Sequence, residues 1–152
     1  MRLWHEDLLS SLPRQQLLGQ HRECCALRGK GWGKPHSTVN YVFSYSRERL
    51  WFYHIQVMHE MQRRGFYIDG CWLDPSYRGK SALKFEPDYG KIKRLQENKN
   101  KVPFVYPEHN DEYLVECLAN LRGKRINLPD SAYPNHFIGE LSIVAIPDGA
   151  NS

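Results

Sequence analysis

Apolar side chains recur at helical spacing between residues 46 and 64, and this pattern constrains the fold more than any other feature of the chain. The stripe falls at positions i, i+4, i+7, i+8 and i+11, occupied by Leu50, His54, Val57, Met58 and Met61. A helix with this spacing has an apolar face that must pack against another element. Since Gly65 is a typical helix end, the pattern predicts a long helix from about Ser46 to Arg64.

Two other segments also predict helices. The first begins near Pro13, which suits a first helical turn, and runs to about Leu27. Its expected buried stripe consists of Leu17, Leu18, His21, Cys24 and Cys25. The second runs from Pro107 to Arg122. Each is followed by a glycine, at positions 29 and 123, which we expect to stop the helix.

The remaining segments have the composition of loops. Residues 66–90 are punctuated by glycine and proline, the tail beyond Ile126 is rich in proline, and residues 140–146 predict a short strand or an extended arm. With 152 residues, 41% of them apolar, the chain is long enough for one ordinary domain. We therefore expect a mainly α fold, in which residues 1–152 form a single domain of about three main helices with long loops and an irregular C-terminal tail.

Charge and cysteine content narrow the class of protein. A formal net charge of +4 is compatible with a polyanionic partner without identifying one. Because no run approaches the roughly 18 apolar residues of a membrane helix, we expect a soluble, cytoplasmic protein with no membrane contact. The cysteines should then be reduced: Cys24, Cys25, Cys71 and Cys117. We identify no Cys-x-x-Cys motif and no closely spaced Cys/His pair, so we expect no metal.

A polar seam lies on the first predicted helix, where Arg22 and Glu23 stand side by side. Most such pairs are solvated surface, and this reading remains open. Gly19 in mid-helix costs about 1 kcal/mol relative to alanine, which favours close approach of another backbone or of a ligand. Two cationic segments, residues 29–35 and 91–101, are either solvated connectors or phosphate-facing arms.

Several short motifs follow one another in a characteristic order. They are Arg2 and Leu3; Leu12, Gln15 and Leu17; Arg22-Glu23; Arg64-Gly65-Phe66; Tyr77-Arg78-Gly79; and the predicted helix 107–123 with His109 near its start. In this order they resemble the pyrimidine-dimer DNA glycosylase family over residues 1–123, while residues 124–152 are an unassigned extension. The resemblance implies damaged double-stranded DNA as partner, with association with the nucleoid, no metal or organic cofactor and no obligate protein partner.

The resemblance also implies a mechanism in which an N-terminal α-amine attacks C1′ of the damaged nucleotide and forms a Schiff base, with strand cleavage by β-elimination. An α-amine suits this step because its ordinary pKa, about 7.7–8.0, leaves a neutral fraction near neutral pH. The residues implied in catalysis are Met1, Arg22 and Glu23. Glu23 would stabilise the cationic intermediate and transfer protons.

The identity of the nucleophile depends on the alignment of the first residues. Arg2 is too large for ordinary removal of the initiator methionine, so we expect the amine to be that of Met1. An alignment without an inserted residue would instead make Arg2 the nucleophile. Gln16 and Ala26 stand where the family has a histidine and a basic residue, so we expect the grip on DNA and the choice of lesion to differ from those of the family.

The expected DNA contacts are polar or cationic side chains along the chain, since forked guanidinium groups and lysines bind phosphate well. They are Arg2, Gln15, Arg22, Lys30, Lys34, Arg122 and Lys124. The competing hypothesis is a non-catalytic nucleic-acid-binding protein on the same scaffold. Both hypotheses predict salt-sensitive binding, and only a test for covalent chemistry separates them.

Overall fold

A computed structural model describes residues 1–129, and the fold there is mainly helical, as the sequence predicts. The α-helices are α1 (Arg14–Arg28), α2 (Arg47–Arg63), α3 (Tyr89–Glu97) and α4 (Asp111–Gly123). The described residues also form three short 3₁₀ helices: Glu6–Ser11 precedes α1, Asn40–Ser44 lies between α1 and α2, and Gly70–Leu73 lies between α2 and α3. The strand or arm predicted at residues 140–146 lies outside the described residues. Within residues 1–129, no helix is both long and apolar enough to cross a membrane.

Helix α1 follows Pro13 and ends against Gly29, in agreement with the prediction. Gly29 does not adopt a left-handed conformation, since its φ is −92°. A Cβ there would lie 2.9 Å from the backbone oxygen of Arg78, so glycine is required by close approach of a second backbone segment. The buried face differs from the predicted stripe. Leu17 and Cys24 are buried as expected, but Leu18, His21 and Cys25 are only half-buried. The other fully buried positions are Gln20, Leu27 and Arg28.

Helix α2 confirms the strongest sequence prediction. Ser46 caps its start by accepting a hydrogen bond from the backbone N–H of Arg49 at 3.2 Å. At its end Gly65 has φ of 80°, and Phe66 donates to the carbonyl of Met61 at 2.9 Å. This is the Schellman arrangement, in which a left-handed glycine satisfies the last carbonyl groups.

Helix α3 lies in a segment that the sequence pattern did not identify as helical. Asp88 caps it by accepting from the N–H groups of Gly90 and Lys91. The helix is attached to α2 because Glu48 accepts from the backbone N–H of Asp88 at 2.6 Å. Ile92 is its one buried residue. The cationic run that begins at Lys91 is therefore partly a helix with exposed lysines rather than only a linker.

Helix α4 begins later than predicted, because Asn110 rather than Pro107 caps it, accepting from the N–H of Tyr113. It also ends differently. Gly123 is its last helical residue, and the left-handed conformation expected after the helix occurs at Arg125, with φ of 62°.

The described residues fall into two units. The first contains residues 1–3 and 13–107, with helices α1, α2 and α3. Its buried side chains include Leu17, Leu50, Tyr53, Met58 and Tyr106. The second contains residues 4–12 and, within the described part, residues 108–129 with α4. Its buried side chains include Trp4, Leu8, Leu12, Leu114 and Leu121.

Candidate active site

The side-chain amide of Gln20 joins the N-terminal segment to Glu23. Its nitrogen donates to the backbone carbonyl of Arg2 at 3.0 Å and lies 3.4 Å from an Oε atom of Glu23. Its oxygen accepts from the hydroxyl of Tyr53 at 2.9 Å. Gln20 and Tyr53 are both buried, so this polar group is held in a low-dielectric setting where its hydrogen bonds are strong.

Residues 1–3 are anchored by a buried side chain and by a hydrogen bond from a loop. Leu3 is fully buried, whereas the side chain of Met1 is 46% exposed. The hydroxyl of Thr38 donates to the carbonyl of Met1, and it also lies 3.0 Å from Nδ1 of His36. The loop before the second 3₁₀ helix thus contacts the beginning of the chain.

Arg22 is exposed and Glu23 is half-buried on the same turn of α1. A Cβ at Gly19 would lie 3.7 Å from the Nη2 atom of Arg22, and no other described residue comes within 4 Å of that position, apart from chain neighbours and the helix's own backbone. The close approach predicted at Gly19 is therefore not made by another backbone segment of residues 1–129. Among residues 1–129, only the Arg22 guanidinium lies close to this position, so these residues leave space there for a ligand.

The remaining predicted DNA contacts are spread over the two units. Gln15, Lys30 and Lys34 are exposed in the first unit, and Arg2 is half-buried there. In the second unit Arg122 is half-buried, while Lys124 is exposed with its ammonium 5.3 Å from the centroid of the Trp4 ring.

A chain of polar side chains, missed in the sequence pattern, lies beside α1. The guanidinium of Arg28 donates to Nδ1 of His54 at 2.9 Å, and Nε2 of His54 lies 2.8 Å from Nδ1 of His21. Nε2 of His21 lies 3.8 Å from the thiol of Cys25. The expectation of no closely spaced Cys/His pair was wrong, because His21 and Cys25 are four residues apart on one helical face.

Arg28 sets the protonation pattern of this chain of side chains. Burial first, and the charge of Arg28 second, lower the pKa of both His21 and His54, so both rings are neutral near pH 7. An arginine only donates, so Nδ1 of His54 accepts and the ring proton is on Nε2. The N–H at Nε2 of His54 therefore donates to Nδ1 of His21. The proton of His21 is then on its Nε2, the nitrogen that faces Cys25.

His21, Cys25 and His54 have the residue types of a metal site. One donor atom from each of His21, Cys25 and His54 lies within 4.8 Å of the others. However, the nitrogen with which His54 would bind a metal carries its proton, because Arg28 occupies the other nitrogen. Burial also raises the pKa of Cys25 to about 12, so its thiol keeps its proton at neutral pH. With these protons in place, the three side chains form a hydrogen-bonded chain.

Comparison with known proteins bears on the N-terminal part of the chain. Residues 1–74 match the model of a family described as pyrimidine dimer DNA glycosylase. No curated protein and no solved structure gives a match. The family match confirms the resemblance seen in the sequence and supports a DNA repair glycosylase. It ends before Tyr77–Gly79 and the region of α4, where the resemblance remains a prediction.

Proposed function

We propose that this chain, whose residues 1–74 match the pyrimidine dimer DNA glycosylases, is a repair glycosylase with abasic-site lyase activity that uses the α-amine of Met1. One observation carries the proposal: the amide of Gln20 bonds the Arg2 carbonyl and also contacts the carboxylate of Glu23. One side chain thus contacts both the backbone of the residue that follows the proposed nucleophile and the proposed acid–base group. The proposed partner is damaged double-stranded DNA, with a pyrimidine dimer as the first candidate lesion.

The proposed reaction begins when the neutral amine attacks C1′ of the damaged nucleotide. A bond forms from the amine nitrogen to C1′ as the bond to the base breaks, and the base leaves with its electron pair and takes up the proton that the amine loses. The bond from C1′ to O4′ then breaks, O4′ gains a proton, and a Schiff base forms. Removal of a C2′ proton expels the 3′ phosphate, which cuts the strand, and water finally releases the amine.

Glu23 is the proposed proton-transfer group in these steps. As a carboxylate it stabilises the cationic Schiff base, and it accepts the C2′ proton during elimination. Its half-buried position suits both tasks, because a partly desolvated carboxylate interacts more strongly with a nearby cation than an exposed one. Arg22, beside the open surface at Gly19, is proposed to bind a phosphate next to the lesion.

Borohydride trapping on DNA with a single abasic site tests the amine mechanism. We expect a covalent adduct with the untagged protein, and its loss when the N-terminus is extended by added residues. Intact mass spectrometry of the same sample identifies the N-terminal residue, which separates Met1 from Arg2 as nucleophile. Salt-sensitive DNA binding without any adduct would instead favour the non-catalytic binding protein.

The role of Glu23 is tested with Glu23→Gln, which keeps the shape of the side chain and removes its charge. We expect strand cleavage to fall about 10²–10⁴-fold, the usual contribution of a positioned acid–base group. Affinity for DNA with a tetrahydrofuran abasic analogue, which cannot form a Schiff base, should stay within a few-fold of the original value. Glu97→Gln, at an exposed position at the end of α3, is the matched control. Unchanged cleavage by Glu23→Gln would remove Glu23 from the mechanism.

A further inference from the structure

We propose that Gln20 is a positioning residue that holds the N-terminal amine and Glu23 in a fixed relation. The inference rests on the proposed function and extends it to a buried side chain with no direct part in the chemistry. Gln20 is 1% exposed, so it is shielded from solvent. Its influence would be exerted through the Arg2 carbonyl and the Glu23 carboxylate.

The orientation of the Gln20 amide follows from its neighbours. The backbone oxygen of Arg2, 3.0 Å away, can only accept a hydrogen bond, so the group that faces it must be the NH₂. The same nitrogen lies 3.4 Å from an oxygen of Glu23, which as a carboxylate also accepts. The amide oxygen is consequently turned toward Tyr53, whose hydroxyl donates to it at 2.9 Å.

Tyr53 fixes this arrangement to the second helix. It is fully buried on α2, and its ring centroid lies 6.2 Å from that of Tyr106, another fully buried ring. Reversing the Gln20 amide would place its oxygen against the Arg2 carbonyl and turn its NH₂ toward the Tyr53 hydroxyl. Buried hydrogen bonds of this kind are costly to leave unmade, so one orientation is strongly preferred.

The chemical type of residue 20 is as important as its size. A glutamate would have the same shape and could still accept from Tyr53, but its ionised carboxylate would face both the Arg2 carbonyl and the Glu23 carboxylate without a hydrogen to donate. A methionine would have a similar length with no strong hydrogen bond. Only an amide donates on one side while it accepts on the other. This requirement accounts for a glutamine at a buried helical position.

The experiment compares Gln20→Glu and Gln20→Met in the untagged full chain. The single-turnover rate of borohydride-trappable adduct formation on abasic DNA is measured together with affinity for the tetrahydrofuran analogue. We expect the rate to fall about 100-fold in both variants, a typical effect of misplacing reacting groups by about 1 Å, while affinity changes less than about threefold. Gln62→Met, at an exposed position of α2, is the matched control and should retain the original rate.

A pH series distinguishes positioning from general damage. Lowering the pH protonates the new carboxyl in Gln20→Glu, which then has an O–H to donate to the Arg2 carbonyl. The ratio of its rate to that of Gln20→Met should therefore rise toward acidic pH. Tyr53→Phe is a second variant that leaves Gln20 itself intact. We expect a smaller rate loss from it, and no additional loss when it is combined with Gln20→Met, because the two act through one contact.

The outcomes separate this inference from the proposed function. If the unaltered protein forms no adduct, the proposed function fails and the inference fails with it. If the unaltered protein forms an adduct and both Gln20 variants do so at its rate, the inference alone is overturned. A parallel loss of rate and of analogue affinity would also overturn it, since that pattern indicates a structural role only.

Discussion

Arg28 shows how a single buried cation can organise its surroundings. Besides contacting His54, its guanidinium donates to the carbonyls of Trp72, Asp74 and Tyr77 at 2.7, 2.8 and 3.1 Å. Three backbone groups of the segment after α2 are thus satisfied by one side chain of α1. Burial lowers the pKa of Arg28 to about 10, which still leaves it charged at neutral pH. A charge with this many partners is stabilised by its hydrogen bonds although it is buried.

The buried histidines should make stability depend on pH. Burial and the charge of Arg28 lower the pKa of His54 well below 6.5, so the folded protein resists protonation that the unfolded chain accepts. The unfolded state therefore binds more protons below pH 6.5, and the free energy of unfolding should fall as the pH is lowered from 7 to 5. The contribution of one such group is at most about 1.4 kcal/mol per pH unit.

Urea unfolding at several pH values measures this effect. His54→Gln should reduce the slope of the free energy of unfolding against pH. The reduction should be at most the contribution of one bound proton. It should appear whether or not the variant is less stable at pH 7. His59→Gln, at an exposed position of the same helix, is the control for replacing a histidine by glutamine. Stability that stays constant or rises on acidification would contradict the argument.

At the scale of elements, α1 presents two chemically different faces. One face carries Arg28 and the histidine–cysteine contacts, and the other carries Gly19 and Arg22. Gly19 has space for a methyl group, because the Arg22 guanidinium is at ordinary contact distance. The glycine is therefore not required for packing within the described part of the chain.

Gly19→Ala tests whether this open face receives DNA. Alanine favours a helix over glycine by about 1 kcal/mol, so the variant should unfold at a higher urea concentration. If DNA approaches at Gly19, the added methyl group should also weaken binding to the abasic analogue by about 10-fold, which a loss of 1.4 kcal/mol produces. Gly70→Ala is the control for the binding measurement, because no atom among the described residues, chain neighbours aside, lies within 4 Å of its Cβ position. Higher stability with unchanged binding would place the DNA elsewhere.

At the scale of the whole molecule, cationic side chains predicted to contact DNA occur in both units. Each phosphate that a cation neutralises on duplex DNA contributes about 0.9 to the slope of log affinity against log salt concentration. Replacing a lysine that contacts a phosphate by alanine should lower that slope by about 0.9. The variants to compare are Lys30→Ala, Lys34→Ala and Lys124→Ala. Binding titrations on the abasic analogue at several salt concentrations give the slope directly.

Arg63→Gln is the comparison for this series. Its guanidinium already pairs with Glu60 at 2.5 Å, so it has less charge to offer a phosphate. We expect its slope to equal that of the unaltered protein. If the slope of every lysine variant equals that of the unaltered protein, these lysines lie outside the DNA-binding surface.

The sequence by itself determined the helices that have both strong periodicity and clear ends. The segment around α2 has a complete apolar stripe, a serine cap and a glycine stop, all of which act locally. The later start of α4 and the helix α3 were not predicted. In α3 only Ile92 is buried, and its attachment depends on Glu48, a residue far away in sequence. Periodicity cannot reveal an element that is held mainly by a distant side chain.

The same division applies to the candidate site. Arg22 and Glu23 could be named from neighbouring positions in a motif, because the motif is local in sequence. Only the tertiary structure decided that Gln20 bonds Arg2 and Tyr53, and that His21 meets His54. These contacts join residues 18 to 33 positions apart. Their geometry depends on how α1, α2 and the N-terminal segment pack, which side-chain type and spacing alone do not specify.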